Sequence, residues 1–538
     1  MKNLYSYLIL IISALTINAC NNYLKTDSAD LLIPESVDDY APLLLGEAYP
    51  SKFSSQISFV NLMTDDVEMG PLYYDSEMKN NTYFKGWLEG IDLNAQDGQY
   101  AYIWQDDYSE NISDKFWATR YSYILACNTI IDALPTMSYS ESQVGKYNNL
   151  AAQAYALRAY HYFCLVNTYA LPYSSENLDK PGVVLKTSPD IETKPQARAT
   201  IKAIYDLINN DINKAQTYIE KAENKASKFE ITPQAIYFLA ARIALFQNDW
   251  DKVIESANKF LTLNKSILNL NSIDSTLLGL PIGTGFTTTT PFSLNSIKCD
   301  EVVFGFGRDD SRSIREYGNL APYKYLNYEY GFHTSWNGEN SLISLYDNDD
   351  LRLHAYYAKT YVKGGTKKKP IYFAGQYYPL KYDYNTSLTE YAPQAWRTPE
   401  LYLNLAEAYA QKEAGISQKA IDILNQLRKN KYITGSSKWE KQISDFTTKE
   451  DLIKFIWQER RRELSFEEIM RFWDIRREGM PAQEHKLFSS PKDYNVYKLR
   501  QESPNYVLLI PYDETNQNSD IINNTREVIG SSSNGTIE

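Results

Sequence analysis

Histidine is scarce in this chain. Only His161, His333, His354 and His485 occur among 538 residues. None stands in an HExxH pattern or beside cysteine, which removes support for zinc-dependent hydrolysis. Cysteine is equally sparse: Cys127, Cys164 and Cys299 lie far apart beyond the N-terminal Cys20, and no CxxC occurs. That pattern gives neither a disulfide framework nor a metal site. Cys127 and Cys164 sit within apolar helical patterns and read as small core residues. There is no GxSxG elbow, phosphate loop or dinucleotide fingerprint, so acyl-transfer and nucleotide chemistry lack their usual parts. Basic residues are outnumbered, 55 Lys and Arg against 67 Asp and Glu, for a net charge of −12. Such a balance argues against nucleic acid and against anionic membrane surfaces. Beyond the N-terminus no apolar run is long enough to span a bilayer. No catalytic residue, metal ligand or cofactor is assigned, and the chain is read as a non-enzyme. Carboxylates are plentiful, but Asp65-Asp66, Asp106-Asp107 and Asp347-Asn348-Asp349-Asp350 read as turns and solvated loops, none with EF-hand spacing.

What the chain does have is aromatic surface: 45 Tyr and 9 Trp. These side chains join a flat apolar face to a polar tip, which suits both cores and ligand platforms. At the N-terminus, Lys2 precedes an apolar stretch from Tyr7 to Leu15, which ends at Ile17-Asn18-Ala19-Cys20. The stretch is too short to cross a membrane and has the proportions of a signal-peptide core. The small residue before Cys20 resembles a bacterial lipoprotein box, so residues 1–19 are expected to be removed and Cys20 to be lipidated. Residues 20–35 then form a tether.

Helical periodicity dominates the rest. Residues 36–48 read as a first helix with Ser36 as N-cap. Further helices are expected from Phe116 to Asn128, Ala151 to Tyr169 and Thr200 to Ala222. Residues Thr232–Leu263 and Arg397–Lys429 each read as two helices around a short turn, resembling tetratricopeptide (TPR) hairpins that stack into one framework. The string Trp457–Gly479 (WQERRRELSFEEIMRFWDIRREG) has helical spacing, with opposite charges three or four residues apart along one face. The expected architecture is mainly α: a TPR-like helical hairpin scaffold with a loop-rich irregular lobe holding a few short strands. Helical regions are assigned to 36–265 and 394–538. Between them, 266–393 is rich in Gly, Thr, Asn and Tyr, with short strands expected at Glu301–Phe306 and Ile371–Phe373, and is the candidate ligand lobe.

Sugar rings stack their C–H faces on aromatic rings and bond their hydroxyls to amides and carboxylates. Two segments have that composition. In the first, Tyr73, Tyr74, Tyr83 and Trp87 stand among Asp75, Asn80 and Asn81; in the second, Tyr330, Trp336 and Asn337 lie within Tyr323–Asn340. These six aromatics and one amide are the candidate ligand residues.

The chain resembles the SusD/RagB family of nutrient-binding lipoproteins. The resemblance is carried by the start Cys20-Asn21-Asn22-Tyr23-Leu24, by Trp117, Tyr121, Ile124 and Asn128, and by Leu157-Arg158-Ala159-Tyr160. It continues through Tyr205, Asp211 and Ala215, Asp350-Leu351-Arg352, Arg397 with Glu400 and Ala406-Glu407-Ala408, and the ERRREL string of 459–464. Departures are also present. The family's YGDVP turn is replaced by Tyr169-Ala170-Leu171-Pro172-Tyr173, and no acidic residues follow Cys20. The resemblance implies an outer-membrane lipoprotein, facing the cell surface, that binds a nutrient oligomer without cleaving it and passes it to a SusC-like TonB-dependent transporter. It also implies that Trp457–Gly479 closes the scaffold instead of forming a catalytic site. Glycan is the first ligand expected, peptide binding in the RagB manner the alternative, and a TPR-type protein scaffold a third reading.

Overall fold

Six of the helices begin on a side-chain cap that the sequence supplies. A computed structural model describes residues 34–71, 96–107, 114–191, 194–223, 227–273, 296–307, 330–334, 341–359, 363–366, 369–372, 377–379, 392–488 and 493–536. Helix α1 (Val37–Leu43) opens on a reciprocal capping box between Ser36 and Asp39 and runs on into a wider turn through Ala48. Such a box satisfies two of the orphan amides of a helix start. After α2 (Gln96–Tyr102) and α3 (Phe116–Ala133) comes the long α4 (Val144–Tyr169). Thr200 caps α5 (Ile201–Ile219), Thr232 caps α6 (Pro233–Phe246) with Pro233 in its first turn, and Asp249 caps α7 (Trp250–Leu263). Farther along, α8 (Thr398–Lys412) precedes α9 (Gln418–Arg428), capped by Ser417, and α10 (Lys449–Leu464), which opens on a Thr448–Asp451 capping box. Next is α11 (Met470–Arg477), and a short helix over Tyr512–Gln517 follows near the C-terminal end.

Helices α6 and α7 form one antiparallel hairpin and α8 and α9 another, with α8 also packed on α6, α7 and α10. The first turn needs a left-handed residue, and Asn248 supplies it at φ 57°; asparagine tolerates that region better than most side chains. Helix α4 is the centre, packed between α3 and α5. Every residue from Leu150 to Ala170 is buried, so its polar side chains need internal partners. They have them: Arg158 holds Asp211 of α5 with a two-pronged contact at 2.7 and 2.8 Å and donates to Asn128 of α3 at 2.8 Å. These residues are among those that carry the family resemblance, and their role here is to staple three helices. Cys127 and Cys164 are buried and free, as small core residues should be.

The strands are short and all pair antiparallel. Strand β1 (Val67–Pro71) pairs with β3 (Tyr330–Thr334), and β2 (Val302–Phe306) with β8 (Gln394–Arg397). Two small ribbons join β4 (Tyr357–Lys359) to β7 (Tyr377–Pro379) and β5 (Lys363–Thr366) to β6 (Lys369–Tyr372). Strands β9 (Gln483–Phe488), β10 (Asp493–Leu499) and β11 (Ser531–Thr536) form a three-stranded sheet. The mainly helical reading with a few short strands therefore holds. Among the described residues no helix is long and apolar enough to cross a membrane. The signal segment, Cys20 and most of the tether lie outside the described residues.

Two expectations need correction. The Trp457–Gly479 string is not one helix: α10 stops at Leu464 and α11 starts at Met470, with Phe466 and Glu468 between them at φ 61° and 49°. Its charges do not mainly pair along one face either. Arg460 reaches Asp474 and Asn404, Glu463 meets Arg352 and Arg397, and of the i,i+3 or i,i+4 pairs on α10 only Glu459–Arg462 forms among the described residues. Tertiary partners outcompete local ones because all of these groups are buried, where a desolvated charge needs several donors at once. The acidic clusters are the second correction. Asp66 and Asp350 are not solvated: they are buried and paired with Arg461 and Arg352, while Asp65 is half-buried and paired with Arg471. Asp106 and Asp107 do reach solvent.

At the start of α3, Asp114 accepts from the Tyr169 hydroxyl at 2.7 Å and from the Phe116 amide at 2.9 Å. Burial pushes its carboxyl up to about 6 despite both hydrogen bonds. The folded protein then binds a proton between roughly pH 6 and pH 4 that the unfolded chain, at about 3.9, binds later. Stability from this group is thus greatest in acid and falls as pH rises through 6. Asp114→Asn is expected to raise Tm above the parent at pH 8, by a margin equivalent to about 1 kcal/mol. The advantage should vanish towards pH 4, which thermal unfolding across a pH series will show.

Candidate ligand-binding site

The two aromatic segments singled out in the sequence share one mount. Strand β1 leads directly into the first, and β3 lies within the second; the register sets Val67 opposite Thr334 and Pro71 opposite Tyr330. Five residue pairs make the ribbon about 14 Å long. Of the predicted ligand residues, Tyr330 is described, as the first residue of β3. Tyr73 and Tyr74 follow Pro71 by two and three residues, and Trp336 and Asn337 follow Thr334 by two and three. Tyr73, Tyr74, Tyr83, Trp87, Trp336 and Asn337 themselves lie outside the described residues.

The described residues build the foot on which this ribbon stands. Asp65 and Asp66 immediately precede β1. Arg471 grips both Asp65 carboxylate oxygens at 2.8 and 2.9 Å, and Arg461 reaches Asp66 at 2.5 Å and the Asp65 carbonyl at 2.6 Å. Glu478 accepts from the other side of Arg471 at 2.9 Å. Burial works against ionisation of Asp65, yet Arg461 and Arg471 hold it below the usual carboxylate range. The neighbouring Asp66 is raised, by burial first and then by the Asp65 charge beside it.

The chain returning from the first aromatic segment is tied to the same foot. Its Trp104 donates from the indole to the Met63 carbonyl at 2.9 Å. The imidazole of His485, on β9, is sandwiched between Tyr102 and Trp104, with ring centroids 4.1 and 4.0 Å away. Nδ1 of His485 lies 2.6 Å from the Tyr102 carbonyl, which can only accept, so this nitrogen carries the proton. Burial drives the pKa of His485 down to about 4 and keeps the ring neutral. Asn505 closes the foot by donating to the Trp104 carbonyl at 2.8 Å.

Sequence reasoning found the segments and missed their mount. One signal was available. Arg460, Arg461 and Arg462 are consecutive on a helix and point about 100° apart, so they cannot all share one solvated face. Among the described residues, no three His, Cys, Asp or Glu side chains gather as a metal-ligand set. A separate open groove of about 660 Å³ lies between α3, residues 184–196 and residues 514–521. It is lined by Trp117, Tyr121, Leu125, Lys186, Glu514 and Gln517 among others.

Similarity to known proteins covers most of the chain. Residues 49–245 match a SusD-like family described as starch-binding associating with outer membrane, and residues 307–526 match the SusD family. SusD-like protein P2 of Formosa agariphila is 24% identical over 438 residues, spanning 76% of this chain and 79% of that protein. Crystal structures share the fold. A SusD superfamily protein from Bacteroides thetaiotaomicron aligns at TM-score 0.65 and 19% identity, over 91% of this chain and all of its own (100%). A SusD-like carbohydrate binding protein from Bacteroides vulgatus aligns at TM-score 0.61 and 16% identity, over 90% of this chain and 97% of its own. With both halves matched and the helical scaffold shared from end to end, this chain belongs to the SusD/RagB family.

Proposed function

We propose that this protein captures a nutrient oligomer, a glycan in the first instance, at the outer membrane and delivers it to a SusC-like TonB-dependent transporter. The observation that carries the reading is the β1–β3 ribbon: one antiparallel pair carries both segments rich in Tyr, Trp and Asn, with Tyr73 and Tyr74 following its Pro71–Tyr330 end and Trp336 and Asn337 following its Val67–Thr334 end. Flat rings with amide and carboxylate neighbours suit the apolar faces and hydroxyls of sugars. The family description of starch binding and outer-membrane association supports the same choice. Lipidation of Cys20 would anchor the chain, each buried methylene contributing about 0.8 kcal/mol, without a membrane-spanning helix. No bond is made or broken in this reading. The carboxylates at the foot of the ribbon are engaged by arginine, an arrangement for holding structure and not for proton transfer.

The test is a binding screen of residues 21–538 against polysaccharides and peptide digests, by affinity electrophoresis and calorimetry. Retention by one glycan class with no product released is the expected result. Trp87→Ala and Trp336→Ala should each weaken that binding by roughly tenfold, the scale of one lost stacking contact, and leave Tm unchanged. Heat released with peptides and not with glycans would replace the ligand class by peptide. Release of shortened oligosaccharide would overturn the non-enzymatic reading.

A further inference from the structure

We infer that Asp65, Asp66, Arg461 and Arg471 are positioning residues for the ligand lobe: they clamp the β1–β3 ribbon to the helical scaffold and so set ligand affinity without touching ligand. The consequence for affinity rests on the ligand reading above; the clamp itself does not.

A two-stranded ribbon is marginal in water and needs something to stand against. Strand β1 is tied ionically to the scaffold just before its first residue, where Asp65 and Asp66 meet arginines of α10 and α11. The break between those helices is what makes the tie possible. Were α10 to run on unbroken, Arg471, ten residues beyond Arg461, would lie about 15 Å farther along the axis. The two side chains could not then share Asp65. Instead the chain turns through Phe466 and Glu468 in left-handed conformations, which non-glycine residues adopt only when the surroundings enforce it. The turn swings Arg471 back, and both guanidiniums converge on one carboxylate, at 3.3 Å from Arg461 and 2.8 Å from Arg471.

The chemistry of the cluster is directional. Arg471 uses Nε and Nη2 on Asp65 and Nη1 on Glu478, which fixes its plane on two sides. Arg461 bonds the side chain of Asp66 and the backbone carbonyl of Asp65 together. A planar fork of this kind sets orientation as well as distance. The second oxygen of Asp66 is buried with no hydrogen-bond partner. That is a poor arrangement if stability alone were served, and an acceptable one if the position of β1 is what the cluster secures.

The experiment uses Asp65→Asn and Arg471→Lys in the full chain, each nearly the size of the residue it replaces, together with the double variant Asp65→Asn/Arg471→Lys. Hydrogen–deuterium exchange is measured on peptides covering β1, β3 and α4, alongside Tm and affinity for the glycan that the parent retains. Amides of β1 and β3 are expected to exchange at least tenfold faster in Asp65→Asn, with α4 as protected as in the parent and Tm within a few degrees. Affinity should fall at least tenfold. Arg471→Lys, which keeps the charge and loses the fork, should lie between, and the double variant should be no worse than its worse single. Unchanged exchange in the ribbon overturns the clamp whether or not any ligand is known. Faster ribbon exchange with full affinity overturns the positioning role while the proposed function stands. A parent protein that retains no glycan counts against the proposed function, and the ribbon exchange then decides the clamp alone.

Discussion

Arg397→Met is expected to cost about 3–5 kcal/mol of stability, the scale set by removing one partner from a buried ionic network. Arg397 is the hub where β8 meets the end of α10, and it is 1% exposed. Its guanidinium donates to Glu301 and Glu463 at 2.9 Å each, to the Glu463 carbonyl at 3.0 Å and to Glu467 at 2.5 Å. Methionine fills much of the same space but leaves three buried carboxylates short of a cation. Glu301 keeps Lys431 at 2.7 Å, and Glu463 keeps Arg352 at 3.1 Å and the Tyr356 hydroxyl at 2.8 Å. Arg397→Lys should fall between, since an ammonium restores charge but cannot reach several carboxylates from one plane. A urea series will read this as a lower midpoint with an unchanged slope. A shift equivalent to less than about 1 kcal/mol would mean that water reaches the network and screens it.

The same hub explains what the sequence could and could not disclose. Helix starts were legible because their causes are local: Ser36, Thr200, Thr232 and Asp249 each cap the helix that follows within three residues. The two hairpins were legible for the same reason, as paired apolar stripes around a short turn. Boundaries were less so. Helix α4 starts at Val144, seven residues before the expected Ala151, because its first turns are partly exposed and carry polar residues that break the apolar pattern. Partners distant in sequence left no local trace. Arg461 meets Asp66 across 395 positions and Arg397 meets Glu463 across 66, and spacing within one helix favours the wrong pairs. The candidate site shows the same division. Composition pointed to the aromatic segments, whereas the pairing of β1 with β3 depends on strands more than 250 residues apart. Tyrosine content alone also misleads: Tyr102, Tyr160 and Tyr162 are fully buried and serve the core.

Tryptophan divides in the same way, and Trp396 is its sharpest test. Trp396→Ala is expected to destabilise by about 3–5 kcal/mol, as large-to-small changes of buried aromatics do. The indole lies on β8 with no exposure. It stacks parallel to Phe238 of α6 at 5.4 Å and meets Tyr160 of α4 and Phe304 of β2 edge-on at 5.1 and 4.9 Å. One side chain thus joins the central helix, a hairpin helix and a strand pair. Arg242 adds a second dependence. Its guanidinium lies 5.1 Å from the Trp396 ring centre while bonding Glu400 at 2.6 and 2.7 Å. Alanine would remove that aromatic face and open a cavity beside a buried ion pair, which places the loss at the upper end of the range. Phenylalanine should behave differently. The Trp396 indole nitrogen is buried without a hydrogen-bond partner, a defect worth about 1–3 kcal/mol that Trp396→Phe removes. That gain offsets part of the smaller cavity, so Trp396→Phe should cost roughly half of what Trp396→Ala costs. Denaturation of the two variants side by side separates the contributions. Equal, large losses would mean that the indole nitrogen is satisfied, by water or by a shifted neighbour, and that packing volume alone sets the stability of this junction.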